Sequence, residues 1–387
     1  MIQNKTGASV ERENFYGRKE RVNKAWQKLT EGNSLILAAP RRVGKTSFSK
    51  KMMEIAEGHK WKTIYLDVEG FHDELEFSQR LAEKLQGLRN MRVKGYKSIT
   101  DFLSKIHIKA AMNGSEVEIN TIKETTNYIK EIDKQLKALE NSHLIIVVDE
   151  LAIFLNSLLG ENTDSPQVSR VERFMNWLRK LRMEYTKNLV WIFCSSIGIE
   201  NFLSVYEISN TINDLTSFKL DALPREEAIG LLSALAESYK IDLPDEVKEY
   251  ILTKIDWAIP YYIQLVFSEI HNLHLNRTIE IHDVDIAYKG ILTPQNFCGI
   301  DQHFKQYPKL QSHQRNILTL LAQTPTGMRR AMIREQFINP NTTCDADLIL
   351  TQCLEILLNE GYIIRQEERY IFRSRLLKDY WLQKYVN

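Results

Sequence analysis

The sequence has few of the features that mark disulfide-rich, zinc-binding or membrane proteins. Its four cysteines, at positions 194, 298, 344 and 353, include no C-x-x-C pair, which argues against a zinc site and a disulfide framework. The most apolar stretch, residues 144–159, is interrupted by Asp149 and Glu150, so no segment is expected to span a membrane. The first residues lack the apolar core of a signal peptide. We therefore expect a cytoplasmic protein.

The chain also lacks an excess of charge of either sign. Its 51 Lys and Arg residues nearly balance 50 Asp and Glu residues, for a net charge of +1. This balance gives no overall attraction to nucleic acids or anionic membranes, so such binding would need a local basic patch. With 43% hydrophobic and 26% charged residues, the composition is that of a globular protein. A length of 387 residues suggests two or three domains.

The first part of the chain alternates short apolar runs with segments of helical periodicity. Five runs are visible, at residues 34–38, 63–66, 144–148, 189–194 and 218–220. Apolar strands that alternate with helices indicate a parallel sheet buried on both faces. We therefore predict an α/β domain with a parallel sheet over residues 1–222, in which the polar stretch 88–142 forms a helical insert.

Two further domains are expected after this one. Residues 223–295 contain four helical segments and no clear strand signal, which predicts a small all-helical domain. Residues 296–387 contain three helical segments followed by two β runs around a polar turn at 366–368, which predicts a hairpin. Three helices followed by a hairpin are typical of a winged helix.

The segment LILAAPRRVGKTSFSKK, residues 35–51, is a candidate phosphate-binding loop. A triphosphate needs backbone amides that converge on its oxygens, a lysine for the outer phosphates and a hydroxyl for Mg²⁺. Gly44, Lys45 and Thr46 supply a tight turn, an ammonium and a hydroxyl in that order. Ala39 stands where the pattern has its first glycine, which is tolerable if φ is negative there. The alternative is a basic, solvated loop between a strand and a helix.

Two acids follow the apolar run LIIVV at residues 144–148. Asp149 would provide a hard oxygen ligand for Mg²⁺, and Glu150 could polarise an attacking water as a general base. Alternatively, the two acids only cap the next helix. Because a GKT loop follows an earlier strand of the same expected sheet, we favour a nucleotide site.

A third strand, LVWIFC at residues 189–194, is followed by Ser195 and Ser196. If this strand lies beside the one that carries Asp149, either serine could donate a hydrogen bond to the γ-phosphate or to the attacking water. The alternative is that both serines belong to an ordinary turn ahead of Gly198.

Together these motifs resemble the AAA+-related STAND ATPases, in particular the archaeal-type group that is also found in bacteria. Residues 15–18, FYGR, match the F-x-G-R box that precedes the phosphate loop in that group, and the pair Arg41 and Arg42 is also typical of it. The resemblance covers nearly the whole chain. It implies a P-loop NTPase core of the AAA+ type, a helical lid and a C-terminal winged-helix domain.

The resemblance also implies a role for each matching residue. The box, with Tyr16, Gly17 and Arg18, would lie near the adenine of ATP. The residues of the phosphate-binding loop would be Ala39, Pro40, Arg41, Arg42, Val43, Gly44, Lys45, Thr46 and Ser47. Mg²⁺ would be bound by Thr46 and Asp149. The catalytic residues would be Lys45, Glu150 and a sensor at Ser195 or Ser196.

Two departures from the family pattern concern the lid and the arginine finger. Family lids often carry Gly-x-Pro at the start of the helix that faces the nucleotide, and here Ala258 replaces the glycine before Pro260. No arginine can be assigned as a finger. The basic residues after the acidic pair form either a trans-acting finger or, as we prefer, a solvated face. They are Arg170, Arg173, Arg179, Lys180 and Arg182.

The expected winged helix has an unusual charge distribution for a DNA-binding domain, which usually inserts its third helix into the major groove. Here the third helix contains no Lys or Arg, and its acids are Asp345, Asp347, Glu355 and Glu360. These acids would repel DNA phosphates, although the expected wing carries arginines at positions 365, 369, 373 and 375. We therefore expect a protein or intramolecular partner and consider DNA disfavoured.

Three functions remain open. The first, which we favour, is an ATP-dependent switch: a slow ATPase whose nucleotide state moves the lid and the winged helix, so that a protein partner reads the result. The second is a DNA-handling ATPase that resembles origin-recognition or transposition regulators. The third is a scaffold that binds ATP without hydrolysis, which the presence of Asp149 and Glu150 disfavours. An oligomer is compatible with each.

Overall fold

The computed structural model of the protein describes residues 2–7, 9–90, 114–160, 165–195, 198–337 and 345–386. A five-stranded parallel sheet lies at the centre of the N-terminal part, in the strand order β2-β3-β4-β1-β5. Its strands are β1 (Leu35–Ala38), β2 (Lys62–Asp67), β3 (Leu144–Asp149), β4 (Leu189–Phe193) and β5 (Thr216–Lys219). Every residue of β3 and β4 is buried, as in a sheet that helices cover on both faces. The predicted α/β fold with a parallel sheet is confirmed.

Helices connect the strands of this sheet, because parallel strands need long crossover connections. Within the described residues these connecting helices are α2 (Lys45–Gly58), α3 (Glu74–Asn90), α4 (Gly114–Ala138), α5 (Leu151–Leu159), α6 (Ser165–Glu184) and α7 (Ile199–Val205), and they follow α1 (Lys19–Thr30), which precedes β1. The predicted insert at 88–142 falls partly on residues 91–113, which lie outside the described residues, and α3 and α4 on either side pack together. In the described part of the chain, no helix combines the length and apolar character needed to cross a bilayer.

The register of the sheet places the ends of neighbouring strands side by side. Asp149 at the end of β3 lies opposite Asp67 of β2, and Val148 lies opposite Phe193 of β4. On the other side of β4, Phe193 is paired with Ile36 of β1. The loop after β1, the acids at the end of β3 and the serine after β4 therefore converge at the carboxyl edge of the sheet, where ligands of open α/β sheets bind.

A helical group follows the sheet at residues 225–290. Its helices are α8 (Arg225–Tyr239), α9 (Asp245–Ile255), α10 (Pro260–Asn272) and α11 (Ile281–Gly290). Helix α10 packs against the other three. Pro260 occupies the first turn of α10, where a missing N–H removes no helical hydrogen bond.

The C-terminal unit, residues 298–386, combines helices with a small antiparallel sheet. Its elements are α12 (Cys298–Gln306), α13 (Gln311–Gln323), β6 (Met328–Arg329), α14 (Arg330–Phe337), α15 (Asp345–Asn359), β7 (Ile363–Gln366), β8 (Arg369–Phe372) and α16 (Arg375–Trp381). The strand order is β6-β8-β7. Glu367 and Glu368 between β7 and β8 both have positive φ, 45° and 64°, as in a two-residue hairpin turn. Helix α12 is an addition to the elements that the sequence predicted.

The C-terminal unit packs against both preceding parts of the chain. Helix α15 contacts α7, which follows β4, and α16 contacts α9. The hydroxyl of Ser374 donates to the carbonyl of Ile255 at 3.0 Å, and the hydroxyl of Tyr288 donates to Asp379 Oδ2 at 2.9 Å. These contacts bring the turn after α15 to the carboxyl edge of the large sheet.

Candidate functional site

The loop between β1 and α2 has left-handed backbone conformations at two positions. Gly44 has a φ of +101° and Arg42 a φ of +66°. A side chain at Gly44 would be strained, so this glycine is required. Ala39 has no positive φ, and its methyl group therefore carries no backbone strain. The departure from the usual glycine at the start of the motif is compatible with this loop.

The N-terminus of α2 and the ammonium of Lys45 form an anion-attracting end to the loop. The first amides of a helix have no partner within the helix, and no described side chain caps α2. Lys45 Nζ donates to the carbonyls of Ala39 at 2.5 Å and Pro40 at 2.9 Å. The side chain is only 7% exposed, and burial lowers the pKa of Lys45, while Glu360 and Glu150 act in the opposite direction. Backbone amides and a buried ammonium are what a phosphate group requires.

Asp149 lies at the centre of a hydrogen-bond cluster at the end of β3. Its Oδ2 accepts from the hydroxyls of Thr46 at 2.7 Å and Tyr65 at 2.8 Å. Its Oδ1 accepts from the thiol of Cys194 and the backbone N–H of Glu150, each at 3.1 Å. Asp149 is 3% exposed, so these donors fix the orientation of its carboxylate. The bond from Thr46 joins the acidic pair to the phosphate loop.

Tyr65 and Cys194 are functional candidates that the sequence analysis missed. Burial and, next, the charge of Asp149 raise the pKa of each, so both groups stay protonated and act as donors to the carboxylate. No motif in the sequence marks them. The relevant signal is the strand order, which places β2 on one side of β3 and β4 on the other.

Glu150 faces the cavity beside the loop and does not act as a helix cap. It precedes α5 with a φ of +61°, but its side chain makes no capping hydrogen bond to that helix. Instead, Glu150 Oε2 accepts a hydrogen bond from Ser195 Oγ at 3.1 Å. Ser195 is 2% exposed, and its strand does adjoin β3. Ser196, the other sensor candidate, lies outside the described residues.

A cavity of about 700 Å³ opens between the phosphate loop, the N-terminal residues and the helical group, a volume that suits a small-molecule site. The predicted site residues that line it are Tyr16, Arg18, Arg41, Arg42, Val43, Gly44, Lys45, Thr46, Ser47, Asp149, Glu150 and Pro260. The predicted residues that adjoin the lining without belonging to it are Gly17, Ala39, Pro40 and Ser195. Lining residues that the sequence analysis did not select include Lys5, Asn14, Glu69, Asn156, Gln264 and Lys305.

The FYGR segment braces the phosphate loop against α8. Arg18 is 5% exposed; its Nη2 donates to the carbonyl of Val43 at 2.9 Å, and its backbone N–H donates to Glu227 Oε2 at 2.7 Å. Burial lowers the pKa of Arg18 to about 10, while Glu227 acts in the opposite direction. Gly17 has a φ of +73°, and a Cβ there would lie 2.6 Å from Glu227 Oε2. Glycine is therefore needed at this position, next to Tyr16 in the cavity wall.

The two loop arginines contact different parts of the chain. The guanidinium of Arg42 lies 4.4 Å from the ring centroid of Tyr261 in α10, a cation–π distance. The neighbouring Pro260 lines the cavity. Arg41 lies against α12, where a Cβ added to Gly299 would be 3.5 Å from its Cδ and Nη1. Arg42 therefore ties the loop to the helical group, and Arg41 ties it to the C-terminal unit.

The arginines of α6 differ from the solvated face that we preferred from the sequence. Arg182 is 3% exposed and donates to both carboxylate oxygens of Asp214, at 2.7 and 2.9 Å. Arg170 forms an ion pair with Glu74, whereas Arg173 is exposed. The solvated-face interpretation is therefore wrong for Arg182, because burial and a bidentate ion pair fix it within the fold.

The donor set suits Mg²⁺ that is shared with phosphates. Among the described residues, no group of three or more His, Cys, Asp and Glu side chains is placed to hold a metal. Mg²⁺ usually takes only one or two protein ligands and completes its shell with water and substrate phosphates. The hydroxyl of Thr46 and the carboxylate of Asp149, 2.7 Å apart at the end of the loop, fit that requirement.

Comparisons with protein families and with solved structures give an independent indication of the fold. Residues 5–192 match the family described as AAA domain, and no curated protein matches the chain significantly. Among solved structures, the chain is similar to the Walker-type ATPase of Pyrococcus abyssi, with 16% identity, a TM-score of 0.66, and coverage of 97% of this chain and 99% of that chain. It is also similar to the ORC2 protein of Aeropyrum pernix in its ADPNP-ADP complexes, with 12% identity, a TM-score of 0.56, and coverage of 96% and 95%. The chain has the fold of an AAA-type P-loop ATPase.

Proposed function

We propose that this protein binds and hydrolyses ATP with Mg²⁺ in the cavity, and that its nucleotide state controls a protein partner. One observation carries the proposal. Lys45, the pair Thr46 and Asp149, and Glu150 meet at the carboxyl edge of a parallel sheet, beside the N-terminus of α2. The match to the AAA domain over residues 5–192 supports the same chemistry.

Each of these residues has a distinct role in the proposal. Lys45 exchanges the carbonyls of its own loop for the outer phosphates, and the amides of residues 43–46 bind the remaining oxygens. Thr46 and Asp149 hold Mg²⁺, which offsets the negative charge of the phosphates when it is bound. Glu150 accepts a proton from the attacking water. Ser195 keeps the Glu150 carboxylate oriented through its hydrogen bond of 3.1 Å, and Ser196 stays a candidate for the sensor.

The adenine is proposed to lie where the N-terminal segment crosses the cavity. The backbone N–H of Lys5 donates to Gln264 Oε1 of α10 at 2.8 Å, and the backbone N–H of Val10 donates to Ser47 Oγ of α2 at 2.9 Å. The N-terminal segment therefore bridges the helical group and the phosphate loop. Tyr16 lines the same part of the cavity.

The division into domains belongs to this proposal. We assign residues 1–222 to the ATPase core with its insert at about 88–142, residues 223–295 to a lid, and residues 296–387 to a winged helix. The contact between Tyr261 and the phosphate loop supports the lid, and the order α13, α14, α15 and then a hairpin supports the winged helix. The FYGR box and the arginine pair support membership of the archaeal-type STAND group.

The test compares ATP turnover by the wild-type protein and Glu150→Gln over a range of protein concentrations, with and without duplex DNA. We expect slow wild-type turnover that depends on neither, and a loss of about 10²- to 10⁴-fold in Glu150→Gln with ATP binding retained. Glu140→Gln, at an exposed glutamate, is the matched control. Unchanged turnover in Glu150→Gln would contradict the role of the base. A wild-type protein that does not bind ATP would contradict the function itself.

A DNA-handling ATPase is the second candidate. One observation supports it more strongly than the sequence did. Two of the four acids that would repel DNA are not free charges on the surface. Asp347 is partly exposed but forms ion pairs with Arg330 and Arg334 of α14, and Glu360, in the turn after α15, is buried. The repulsion of DNA phosphates is therefore weaker than the sequence suggests. Turnover that rises with added duplex DNA would select this candidate. ATP binding without turnover under any condition would select a scaffold.

A further inference from the structure

The turn after α15 packs directly on the phosphate loop. Gly361 in this turn has a φ of +77°, and a Cβ added there would lie 2.3 and 2.5 Å from Cγ and Cβ of Pro40, and 3.3 Å from the ring of Trp257. Only glycine allows so close an approach. The C-terminal unit therefore touches the loop that would bind the phosphates, through backbone atoms that lie next to Glu360.

Glu360 reaches past the loop to the end of the central strand. The residue is 5% exposed, and its Oε1 accepts a hydrogen bond from the backbone N–H of Gly198 at 2.6 Å. Gly198 follows β4 and precedes α7. Beside this bond, Asn359 Nδ2 donates to Asn201 Oδ1 of α7 at 2.6 Å. A buried carboxylate and a neighbouring amide thus fasten the C-terminal unit to the segment that follows Ser195.

The charges of the phosphate site act on Glu360. Burial raises the pKa of Glu360, whereas the Gly198 N–H and the positive charges of Lys45 and Arg41 lower it, and the negative charge of Glu150 raises it further. In turn, Glu360 is the strongest charge that acts on Lys45. The negative charge of Glu360 is therefore compensated in part by the lysine that would bind the outer phosphates.

We propose that Glu360 is a latch that holds the C-terminal unit on the phosphate loop and that a bound triphosphate weakens it. The proposal rests on the proposed function and names the residue that would make the site distinguish ATP from ADP. A triphosphate carries about one more negative charge than a diphosphate, and it binds Lys45 through its outer phosphates. Both effects reduce the positive charge that offsets the buried Glu360 carboxylate. A buried carboxylate without this compensation destabilises the contact between the C-terminal unit and the phosphate loop, because the environment has a low dielectric constant. By linkage, the contact made by Glu360 lowers the affinity for ATP by the same factor by which bound ATP weakens that contact.

The first experiment measures closure of the latch directly. Asn201→Cys and Asn359→Cys are combined in a full-length chain in which Cys298 and Cys344 are replaced by Ser, since Cys194 and Cys353 are buried. The rate of linkage by a short bifunctional thiol reagent is measured without nucleotide, with Mg²⁺ and ADP, and with Mg²⁺ and a non-hydrolysable ATP analogue. The pH is about 8, which favours the carboxylate form of Glu360.

We expect the ATP analogue to slow linkage at least about fivefold relative to ADP. Equal rates with the two nucleotides would overturn the latch. Each single-cysteine variant controls for linkage between molecules. Nucleotide binding is measured in the same samples by displacement of a fluorescent nucleotide, which separates two failures. Binding without any change in the linkage rate would overturn only the latch, whereas no binding would overturn the proposed function and the latch with it.

A second variant separates the charge of Glu360 from its hydrogen bond. Glu360→Gln keeps an oxygen that accepts the Gly198 N–H but removes the negative charge. In the double-cysteine background, we expect its linkage rate to be the same with both nucleotides. We also expect the affinity for the ATP analogue to rise about tenfold relative to ADP. Glu355→Gln, at an exposed glutamate of the preceding helix α15, is the control and is expected to respond like the parent protein. A Glu360→Gln variant that also responds like the parent would overturn the proposal.

Discussion

Replacement of Tyr65 by Phe removes one of the hydrogen bonds that hold Asp149. The Tyr65 hydroxyl lies 2.8 Å from Asp149 Oδ2, and the carboxylate is almost fully buried. A hydrogen bond to a charged group contributes about 1.5–3 kcal/mol. Because Thr46, Cys194 and the Glu150 N–H still donate to the carboxylate, we expect the lower end of this range. A cost of about 1.5 kcal/mol corresponds to about a tenfold loss of Mg²⁺ affinity.

The assay is a Mg²⁺ titration of ATP turnover at saturating ATP. We expect the midpoint for Tyr65→Phe to lie at about tenfold higher Mg²⁺ than for the wild type, while nucleotide affinity without Mg²⁺ stays the same. Tyr185→Phe is the matched control, since the hydroxyl of Tyr185 donates to the backbone oxygen of Asp133 at 3.3 Å, outside the site. A wild-type midpoint in Tyr65→Phe would refute the reasoning, as would an equal shift in Tyr185→Phe.

The remaining predictions concern the loop, the base, the core and the pH dependence of stability. Lys45→Ala should abolish nucleotide binding in an equilibrium binding assay, because it removes the ammonium at the loop. Glu150→Gln should bind ATP but hydrolyse it about 10²- to 10⁴-fold more slowly, as single-turnover kinetics would report. Arg182→Ala should lower the free energy of unfolding by about 1.5–3 kcal/mol, because it removes charge-assisted hydrogen bonds to the partly buried Asp214, which keeps the longer ion pair with Arg179 at 3.7 Å. The exposed Arg173→Ala should change the free energy of unfolding by less than about 0.5 kcal/mol in urea titrations. Burial lowers the pKa of His303 from 6.5 in the unfolded chain to about 3 in the folded protein. Between these two pH values, the unfolded chain therefore binds a proton at this residue that the folded protein does not bind. The stability that this residue confers is complete above pH 6.5 and falls by about 1.4 kcal/mol per pH unit as the pH drops toward 3; His303→Phe should show a correspondingly flatter pH dependence.

The sequence by itself determined the parallel sheet and the loop at its edge. The predicted apolar runs correspond to the five strands. The reason is clearest for β3 and β4, which are buried along their whole length, because a strand that is covered on both faces must be apolar throughout. The edge strands β2 and β5 are only partly buried. The GKT motif predicted a tight turn at Gly44. The structure has a φ of +101° at this residue, which glycine adopts at little cost. The sequence analysis also stated the condition under which Ala39 can replace the usual glycine, namely a negative φ at this position. The position of each strand and the conformation of the loop depend on residues that are close together in the chain, so they can be predicted from short stretches of sequence.

Only the tertiary structure decided which distant side chains complete the site. Tyr65 lies 84 positions from Asp149 in the chain, and its role follows from the strand order. Glu360 was counted from the sequence as one of the acids that would repel DNA, but it is buried and contacts Gly198, 162 positions away. Arg182 belonged to a basic pattern that fitted an exposed face, yet it is buried against Asp214. Periodicity tells which face of a helix or strand is apolar, whereas the partner of a polar side chain depends on how these elements pack, and that information is spread over the whole chain.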